Sequence, residues 1–281
     1  MQNAFHSPNH GLRGRLEEWL ANNTLLRRLR RSLLSRLPFV TLTSDVRDVV
    51  YANWVVPVSK VRQVVPDRIQ LVERDGTTVL TVLTYRHTHF GPALLGPLRA
   101  LFPSPLQSNW RLYIDAVDGQ RRSSLVLFIR NVFDSLLYAL VTRVLSDVLP
   151  SQTARAFTHA CSANDCETTI VDTEGTLGLH LAARVEEARI LPKAFAALFD
   201  SWDEAVRSLA LQDAAIAQIP DEAALAHSRI DLPIDLRTVE PLQATHIEAG
   251  PWLRSLGAEG PPLCFRVPAV RLRALSDTLI R

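Results

Sequence analysis

Leucines recur at steps of three and four residues near the start of the chain, and farther along hydrophobic and polar positions alternate instead. Residues 12–36 carry the helical pattern, with leucines and Trp19 on one face, arginines on the other, and Pro38 just beyond. This spacing predicts one amphipathic helix that ends before the proline. We expect its apolar face to pack on the rest of the protein or on a partner chain.

Alternating and β-branched segments predict a series of strands in the remainder of the chain. Asp75-Gly76 and Asp118-Gly119 predict tight turns, each joining its flanking strands into a hairpin. The segment 91–106 is rich in proline and glycine and predicts a loop with at most one helical turn. The predicted strands lie at 45–56, 68–74, 77–86, 108–117, 122–132, 153–160, 166–172 and 176–186, with short strands between prolines over 225–281.

Helices are predicted between these strands. A short one begins at Pro57, and residues 192–211 predict a helical pair whose second member is capped by Ser201. Residues 134–149 predict the longest internal helix, with Asp134 as its N-cap. Its core-facing residues are expected to be Leu136, Leu137, Leu140, Val144, Leu145 and Val148. Because hairpins dominate and strands do not alternate regularly with helices, we expect an α+β fold with an antiparallel, strongly bent sheet.

Composition is consistent with the predicted fold, and the distribution of charge distinguishes the N-terminal segment from the rest of the chain. With 281 residues, 47% of them hydrophobic, the chain can bury a sizeable core, and its net charge of +2 gives no support to a nucleic-acid partner. Residues 1–36 hold seven arginines against two glutamates. We therefore expect a basic N-terminal helix over 1–40 and a separate domain over 41–281. Contact of this helix with an anionic membrane surface is an alternative to packing on protein.

Three cysteines are few for a disulfide framework in a chain of this length, and an odd number cannot all be paired. We therefore expect them to be reduced. Cys161, Cys166 and His159 approach a zinc-ligand spacing without a second ligand pair, so neither a metal site nor a cofactor is predicted. The first residues lack the apolar region of a signal peptide, and no apolar run reaches about 20 residues. A cytoplasmic location is expected.

Polar side chains share one face of two predicted strands. Tyr85, His87 and His89 alternate at the end of one strand. Asn109, Arg111 and Tyr113 do so on the next, opposite an apolar face of Trp110, Leu112 and Ile114. An arginine placed in this way can hold a carboxylate by paired hydrogen bonds, or it can form a structural ion pair. The two histidines can line a pocket, face solvent, or contribute to a metal site completed elsewhere.

Several segments together resemble a known family. Asn53 to Pro57 with Val65-Pro66, the run Gln107 to Ile114, and the strand, helix and Leu149-Pro150 turn after it are similar to the YqjF-like proteins of the DUF2071 group. This group lies in the acetoacetate-decarboxylase-like superfamily, and the resemblance covers about residues 45–245. It implies a cone-like antiparallel β-barrel with helices around it. Its interior would be a ligand pocket lined by Tyr85, His87, Gln107, Asn109, Arg111, Tyr113 and Asn131.

The sequence departs from that superfamily at the residues of its chemistry. True acetoacetate decarboxylases carry a Pro-Lys-Lys turn whose lysine forms a Schiff base, as the family resemblance implies, and here the turn is Pro150-Ser151-Gln152. The chain's two lysines, Lys60 and Lys193, lie in other segments. The glutamate of the family's strand motif is Gln107 here. Schiff-base decarboxylation is therefore not expected.

Three functions remain open. The first is an uncharacterised small-molecule binding protein, for an organic acid if Arg111 is the anchor. The second is an enzyme of unassigned lyase or hydrolase type in the same pocket, with no catalytic residue assigned. The third is an interaction or membrane-surface protein that acts through the N-terminal helix. Association into a homo-oligomer is compatible with each of them.

Overall fold

The computed structural model describes residues 4–34, 36–219, 222 and 224–281. The described residues form six α-helices: Gly11–Asn22 (α1), Thr24–Leu34 (α2), Val58–Val61 (α3), Leu136–Leu145 (α4), Trp202–Ala210 (α5) and Pro251–Ser255 (α6). They also form fifteen strands: Leu42–Pro57 (β1), Ile69–Leu71 (β2), Thr77–Arg86 (β3), Gly91–Pro92 (β4), Leu106–Val117 (β5), Gln120–Phe133 (β6), Ser151–Thr153 (β7), Ala156–Cys161 (β8), Asp165–Val171 (β9), Leu177–Val185 (β10), Ala214–Gln218 (β11), Leu225–Asp231 (β12), Glu240–Ala249 (β13), Leu263–Ala274 (β14) and Thr278–Ile280 (β15). Short 3₁₀ segments lie at Arg62–Val64, Ala93–Leu101, Lys193–Phe195 and Leu236–Thr238.

The described strands all belong to one sheet, and the fold is α+β. The sheet bends so strongly that β12, which pairs with β11, also pairs with β14 through Ile230 and Asp231. The strand order is β15-β12-β11-β6-β5-β3-β1-β14-β13-β10-β9-β8, with β2 beside β5, β4 beside β1 and β7 beside β6. The expectation of a purely antiparallel sheet is wrong, because β6 pairs in parallel with both β7 and β11. The physical reason is that the chain crosses over through α4 before it enters β7, and such crossovers bring strands back in the same direction.

The hairpin of β5 and β6 forms as predicted, with Asp118 and Gly119 at positive φ in the turn. The hairpin expected around Asp75-Gly76 does not form as predicted, because its first strand pairs with another strand. The turn is present, but β2 pairs with β5 and not with β3. Ile69 and Leu71 of β2 are buried in that position, so burial of two side chains by a distant strand outweighs the local turn.

Two hydrophobic clusters cover the two faces of the central strands. Trp110, Leu112 and Ile114 of β5 lie in one cluster, whereas Tyr113 lies in the other, as the alternation predicted. The second cluster includes α5, whose Trp202 and Leu209 are buried against the inner, concave side of the bent sheet. This helix therefore fills the space that the polar faces of β3 and β5 border.

The N-terminal segment consists of two helices, which corrects the prediction of one. Asn23 has extended backbone angles (φ −72°, ψ 111°) and interrupts the pattern. Its side-chain oxygen accepts a hydrogen bond from the amide of Leu26 at 3.0 Å, so it caps α2. Packing of the leucine face on the rest of the protein is wrong for α1, which buries Gly14, Glu17 and Ala21 instead, whereas packing on a partner chain stays a prediction.

Helix α4 differs from its prediction at both ends and in its orientation. Ser135, rather than Asp134, is the N-cap, because the Asp134 carboxylate accepts a hydrogen bond from the Leu106 amide at 3.0 Å. The helix ends at Leu145. Its inner face is polar and aromatic, whereas Leu137 and Leu145 are exposed. The buried residues of α4 are Tyr138, Ala139, Thr142 and Arg143.

The cysteines also depart from expectation. Cys161 and Cys166 are opposite residues of β8 and β9, and their sulfur atoms form a disulfide. The prediction of reduced cysteines is therefore wrong for this pair, because the intervening turn brings them face to face, whereas Cys264 is free and buried. The described residues contain no cluster of three or more potential metal ligands. No helix in the described ranges is long and apolar enough to cross a bilayer.

Candidate functional site

A set of buried polar side chains crosses, from β1 to β7, the face of the sheet that packs against α5. Strand pairing aligns them, because Asn53 is opposite Thr81, Thr81 is opposite Arg111, and Asn131 is opposite both Asn109 and Ser151. Side chains of paired residues point to the same face of a sheet, so these groups meet. We call the set the polar network. It comprises Asn53, Thr81, Tyr85, His87, Gln107, Asn109, Arg111, Tyr113, Asn131 and Ser151, all of them buried.

Gln107 is the centre of one half of the network. Its amide nitrogen donates to the side-chain oxygens of Asn109 at 3.0 Å and Asn131 at 2.7 Å. Asn109 in turn donates to the phenol oxygen of Tyr85 at 2.9 Å, and Asn131 donates to the Ser151 hydroxyl at 2.9 Å. Each of the three amides has hydrogen-bond partners within this half, and none of them is a charged residue.

His87 lies at the edge of this half and is neutral. Its Nε2 is 2.6 Å from the Gln107 side-chain oxygen, which can only accept, so Nε2 carries the proton. Burial lowers the pKa of His87 to about 4, against the opposing effect of the Gln107 hydrogen bond. The ring stacks on Phe90 with centroids 4.3 Å apart, and its Nδ1 has no partner.

Arg111 and Tyr113 form the other half with α5. The Arg111 guanidinium donates to the main-chain oxygen of Leu209 at 2.7 Å, and the Tyr113 hydroxyl donates to the same oxygen at 3.1 Å. The Thr81 hydroxyl is 2.9 Å from the Tyr113 hydroxyl and donates to Asn53 at 2.6 Å. The carbonyl of Leu209 is in the last turn of α5, where helix carbonyls lack intrahelical partners.

Arg111 is 2% exposed, and its positive charge has no carboxylate partner among the described residues. The structural ion pair considered as its alternative role is therefore not formed there. Tyr51 and Tyr113 present their rings to the guanidinium, with its carbon 5.4 and 5.5 Å from their centroids, and Nε has no hydrogen-bond partner. Burial lowers the pKa of Arg111, but the adjacent Tyr113 and Tyr51 raise it by more, so the group stays charged.

Ser151 and Gln152 stand in the turn where the family resemblance places the Schiff-base lysine. Ser151 is fully buried and hydrogen-bonded to Asn131 and Thr142, and its carbonyl accepts from Arg143 at 3.0 Å. Neither side chain carries an amine, so neither can form an imine. Both lysines lie outside the network, with Lys60 paired to Glu259 and Lys193 in an exposed 3₁₀ segment.

The network contains every residue predicted for the ligand site: Tyr85, His87, Gln107, Asn109, Arg111, Tyr113 and Asn131. His89 is not part of it, since β3 ends before it and its positive φ of 51° turns it toward Phe102. Asn53 and Thr81 belong to the network but were not predicted for the site. A polar residue inside each of their apolar runs was the available signal. Leu209 was not predicted either, because it contributes a main-chain atom and leaves no signal in the sequence.

Two cavities lie near the sheet, and neither is lined by a network residue. The larger has a volume of about 350 Å³ and opens between the ends of β1, β12 and β14. The smaller, of about 10 Å³, lies on the opposite face of β5 and β6 beside Trp110 and Gln152. In this conformation the network is packed against α5, so a molecule can reach Arg111 only if that helix or its flanking segments move.

Comparison with known proteins gives the chain a family and a fold. Residues 43–198 match the family DUF2071, described as an uncharacterized conserved protein. No protein with a curated description matches the chain. Similarity to solved structures is therefore the remaining source of comparison.

The fold is that of acetoacetate decarboxylase-like proteins. An acetoacetate decarboxylase-like enzyme from Sphingomonas wittichii RW1 matches with a TM-score of 0.59 at 10% identity, over 86% of this chain and 94% of that one. Acetoacetate decarboxylase from Legionella pneumophila matches at 0.57 with 8% identity, over 85% and 87%. The enduracididine biosynthesis enzyme MppR, complexed with pyruvate, matches at 0.54 with 11% identity, over 86% and 90%.

Proposed function

We propose that this chain, which belongs to the DUF2071 family of uncharacterized conserved proteins, binds a small organic acid through Arg111 on the concave face of its sheet. One observation carries the proposal: the buried Arg111 guanidinium is hydrogen-bonded but has no carboxylate partner among the described residues. A buried charge without a counter-ion is costly, whereas one that is paired with an opposite charge and hydrogen-bonded is tolerated. A ligand carboxylate would supply the missing charge.

The groups around Arg111 suit one end of such a ligand. Nε is free to donate, and the Tyr113 hydroxyl lies beside the guanidinium. Because arginine presents parallel N–H groups, it favours a planar carboxylate over a single carbonyl oxygen. We infer that the carboxylate would replace the Leu209 carbonyl as the main acceptor.

Access to the site then depends on α5. Arg111 is 2% exposed and is covered by the end of this helix. Binding therefore includes displacement of the last turn of α5 from the guanidinium. In the related fold of MppR, a complex with pyruvate has been solved, which makes pyruvate a reasonable first probe for this chain.

Catalysis by the network has less in its favour. His87, whose pKa burial lowers to about 4, is far from the value near operating pH that suits a general base. Burial raises the pKa of Tyr85. Ser151 and Gln107 replace the groups of imine and proton chemistry. We therefore propose binding rather than turnover as the role of this site.

Titration calorimetry tests the proposal. Pyruvate and acetoacetate should bind more tightly than the neutral pyruvamide, and Arg111→Met should weaken carboxylate binding by about 30-fold or more. Arg121→Met is the matched control, because its side chain is 89% exposed and far from the network. Equal affinity for pyruvate and pyruvamide, or an unchanged affinity in Arg111→Met, would contradict the proposal. Native mass spectrometry of the purified protein would detect an acid that co-purifies.

A further inference from the structure

The exposed leucines of this protein are concentrated in the N-terminal helices, in α4, and in the 3₁₀ segment Ala93–Leu101. In each segment they repeat with helical or near-helical spacing, so each presents a ridge and not scattered single residues. Their side chains are 43–85% exposed, whereas apolar residues with this spacing are normally buried. These residues are Leu12, Leu16, Trp19, Leu25, Leu29, Leu33, Leu94, Leu98, Leu101, Leu137, Val141 and Leu145, and we call them the leucine surface.

The four segments are neighbours, because each packs against α4 or its immediate surroundings. Arg30 of α2 donates to the Leu145 carbonyl at 3.0 Å, and Arg143 of α4 donates to the Ala21 carbonyl at the end of α1 at 3.2 Å. Tyr138 donates to the carbonyls of Phe90 and Pro103, which flank the 3₁₀ segment. All four ridges therefore lie on or beside α4. Exposed apolar area on this scale marks an interaction site.

Charge limits what the surface can contact. Within the described parts of these four segments, the exposed charged side chains are Arg13, Arg15 and Arg28, and just outside them exposed Arg36 follows α2 and exposed Asp134 precedes α4. The acidic residues within the segments are partly or fully buried, since Glu17 is held by Asn9 and Arg13 and Glu18 bonds to the Ser7 amide. The surface is thus apolar with a positive rim.

We propose that the leucine surface docks on an anionic lipid bilayer, with the leucines in the interface and the arginines at the headgroups. Helices with a leucine and tryptophan face and a basic polar face lie in this way on membranes. A second copy of the chain fits less well. A two-fold contact would bring the same patch against itself, and its four exposed arginines would have only Asp134 as an exposed acidic partner among the described residues in and beside these segments. This surface is separate from the Arg111 site, so the inference does not depend on the proposed ligand.

Vesicle co-sedimentation of the full chain tests the proposal. Binding should be clear with vesicles of phosphatidylcholine and phosphatidylglycerol and weak with phosphatidylcholine alone. The variant Leu25→Gln, Leu29→Gln, Leu33→Gln should lower the partition coefficient at least about tenfold, because burying a single leucine already provides a factor of that order. Val72→Gln with Ile190→Gln is the matched control, since these apolar side chains are exposed elsewhere at 45% and 72%.

A second pair of variants tests the charge. Arg15→Gln with Arg36→Gln should weaken binding to the anionic vesicles several-fold, whereas Arg121→Gln with Arg122→Gln should not. Circular dichroism should show that every variant remains folded, because all these positions are exposed. Equal binding to neutral and anionic vesicles, or no loss in the leucine variant, would overturn the proposal. It would also be overturned if the chain dimerised without vesicles and the leucine variant made it monomeric, since a second copy would then be the occupant.

Discussion

The guanidinium of Arg111 is bonded at 2.7 Å to the main-chain carbonyl of Leu209, so a strand of the sheet holds the C-terminal end of α5. Carbonyls at the end of a helix carry partial negative charge, and a cation there is favourable. That partial charge offsets only part of a full positive charge. The contact therefore explains how Arg111 is tolerated in the absence of a ligand, and it identifies the atom with which a ligand carboxylate would compete.

Replacing Arg111 by methionine should change the free energy of unfolding by no more than about 1–2 kcal/mol. The variant loses one hydrogen bond to Leu209 but also loses an unpaired buried charge, and the Tyr113 hydroxyl still donates to that carbonyl. Urea unfolding followed by tryptophan fluorescence measures the change. A loss of about 4 kcal/mol or more would instead assign Arg111 a mainly structural role.

His87 should make stability depend on pH. Its pKa is lowered to about 4 in the folded chain, and an unfolded histidine titrates near 6.5, so between these values the unfolded state binds more protons. The contribution of His87 to the free energy of unfolding is therefore fully present above pH 6.5. It is lost as the pH falls to 4, by about 3 kcal/mol in total. Unfolding curves at pH 7 and pH 4.5 should differ less for His87→Phe than for the wild type. The exposed His10→Phe should keep the wild-type difference.

Borohydride treatment with acetoacetate should leave the protein at its unmodified mass. Neither Lys60 nor Lys193 is in the polar network, and the turn that carries the two lysines in the resembled superfamily is Pro150-Ser151-Gln152 here. Intact-mass spectrometry is the measurement, with a lysine-dependent decarboxylase treated in parallel to show that trapping works. A stable adduct mapped to Lys193 would show imine chemistry at a site outside the network.

Gln107 and Asn131 should behave as one unit. Gln107→Leu or Asn131→Leu alone leaves buried amide groups without partners and should cost about 1–3 kcal/mol. The double variant removes both groups and should cost at least about 1 kcal/mol less than the two single losses added together. A double-mutant cycle from urea unfolding gives this coupling, and strict additivity would mean that the two side chains act independently.

The sequence allowed the faces of the sheet to be predicted better than the partners of its strands. Alternation alone assigned Asn109, Arg111 and Tyr113 to one side of β5, because neighbouring side chains of a strand must point in opposite directions. It could not assign β2 to β5, since that pairing joins residues 43 to 48 positions apart and local turn signals favoured β3.

The helices were harder to orient. In α4 the leucine pattern predicted an apolar inner face. That face instead meets the Ser151 hydroxyl, which hydrogen-bonds to Thr142, and the C-terminal end of α1, where Arg143 donates to the Ala21 carbonyl. In the N-terminal segment the leucine spacing continues across Asn23, the one polar residue on the apolar face, and this residue ends α1 and caps α2. The covering of Arg111 by α5 could not be predicted either, because Leu209 contributes a main-chain oxygen that any residue possesses.

The reciprocal hydrogen bonds of the polar network constrain how this protein can evolve. Gln107 donates to Asn109 and Asn131, and each of these donates onward, so a change at one position leaves donors or acceptors unmatched at the next. Substitutions there should be accepted in pairs or triplets. Among homologues, changes at positions 107 and 131 should therefore be correlated.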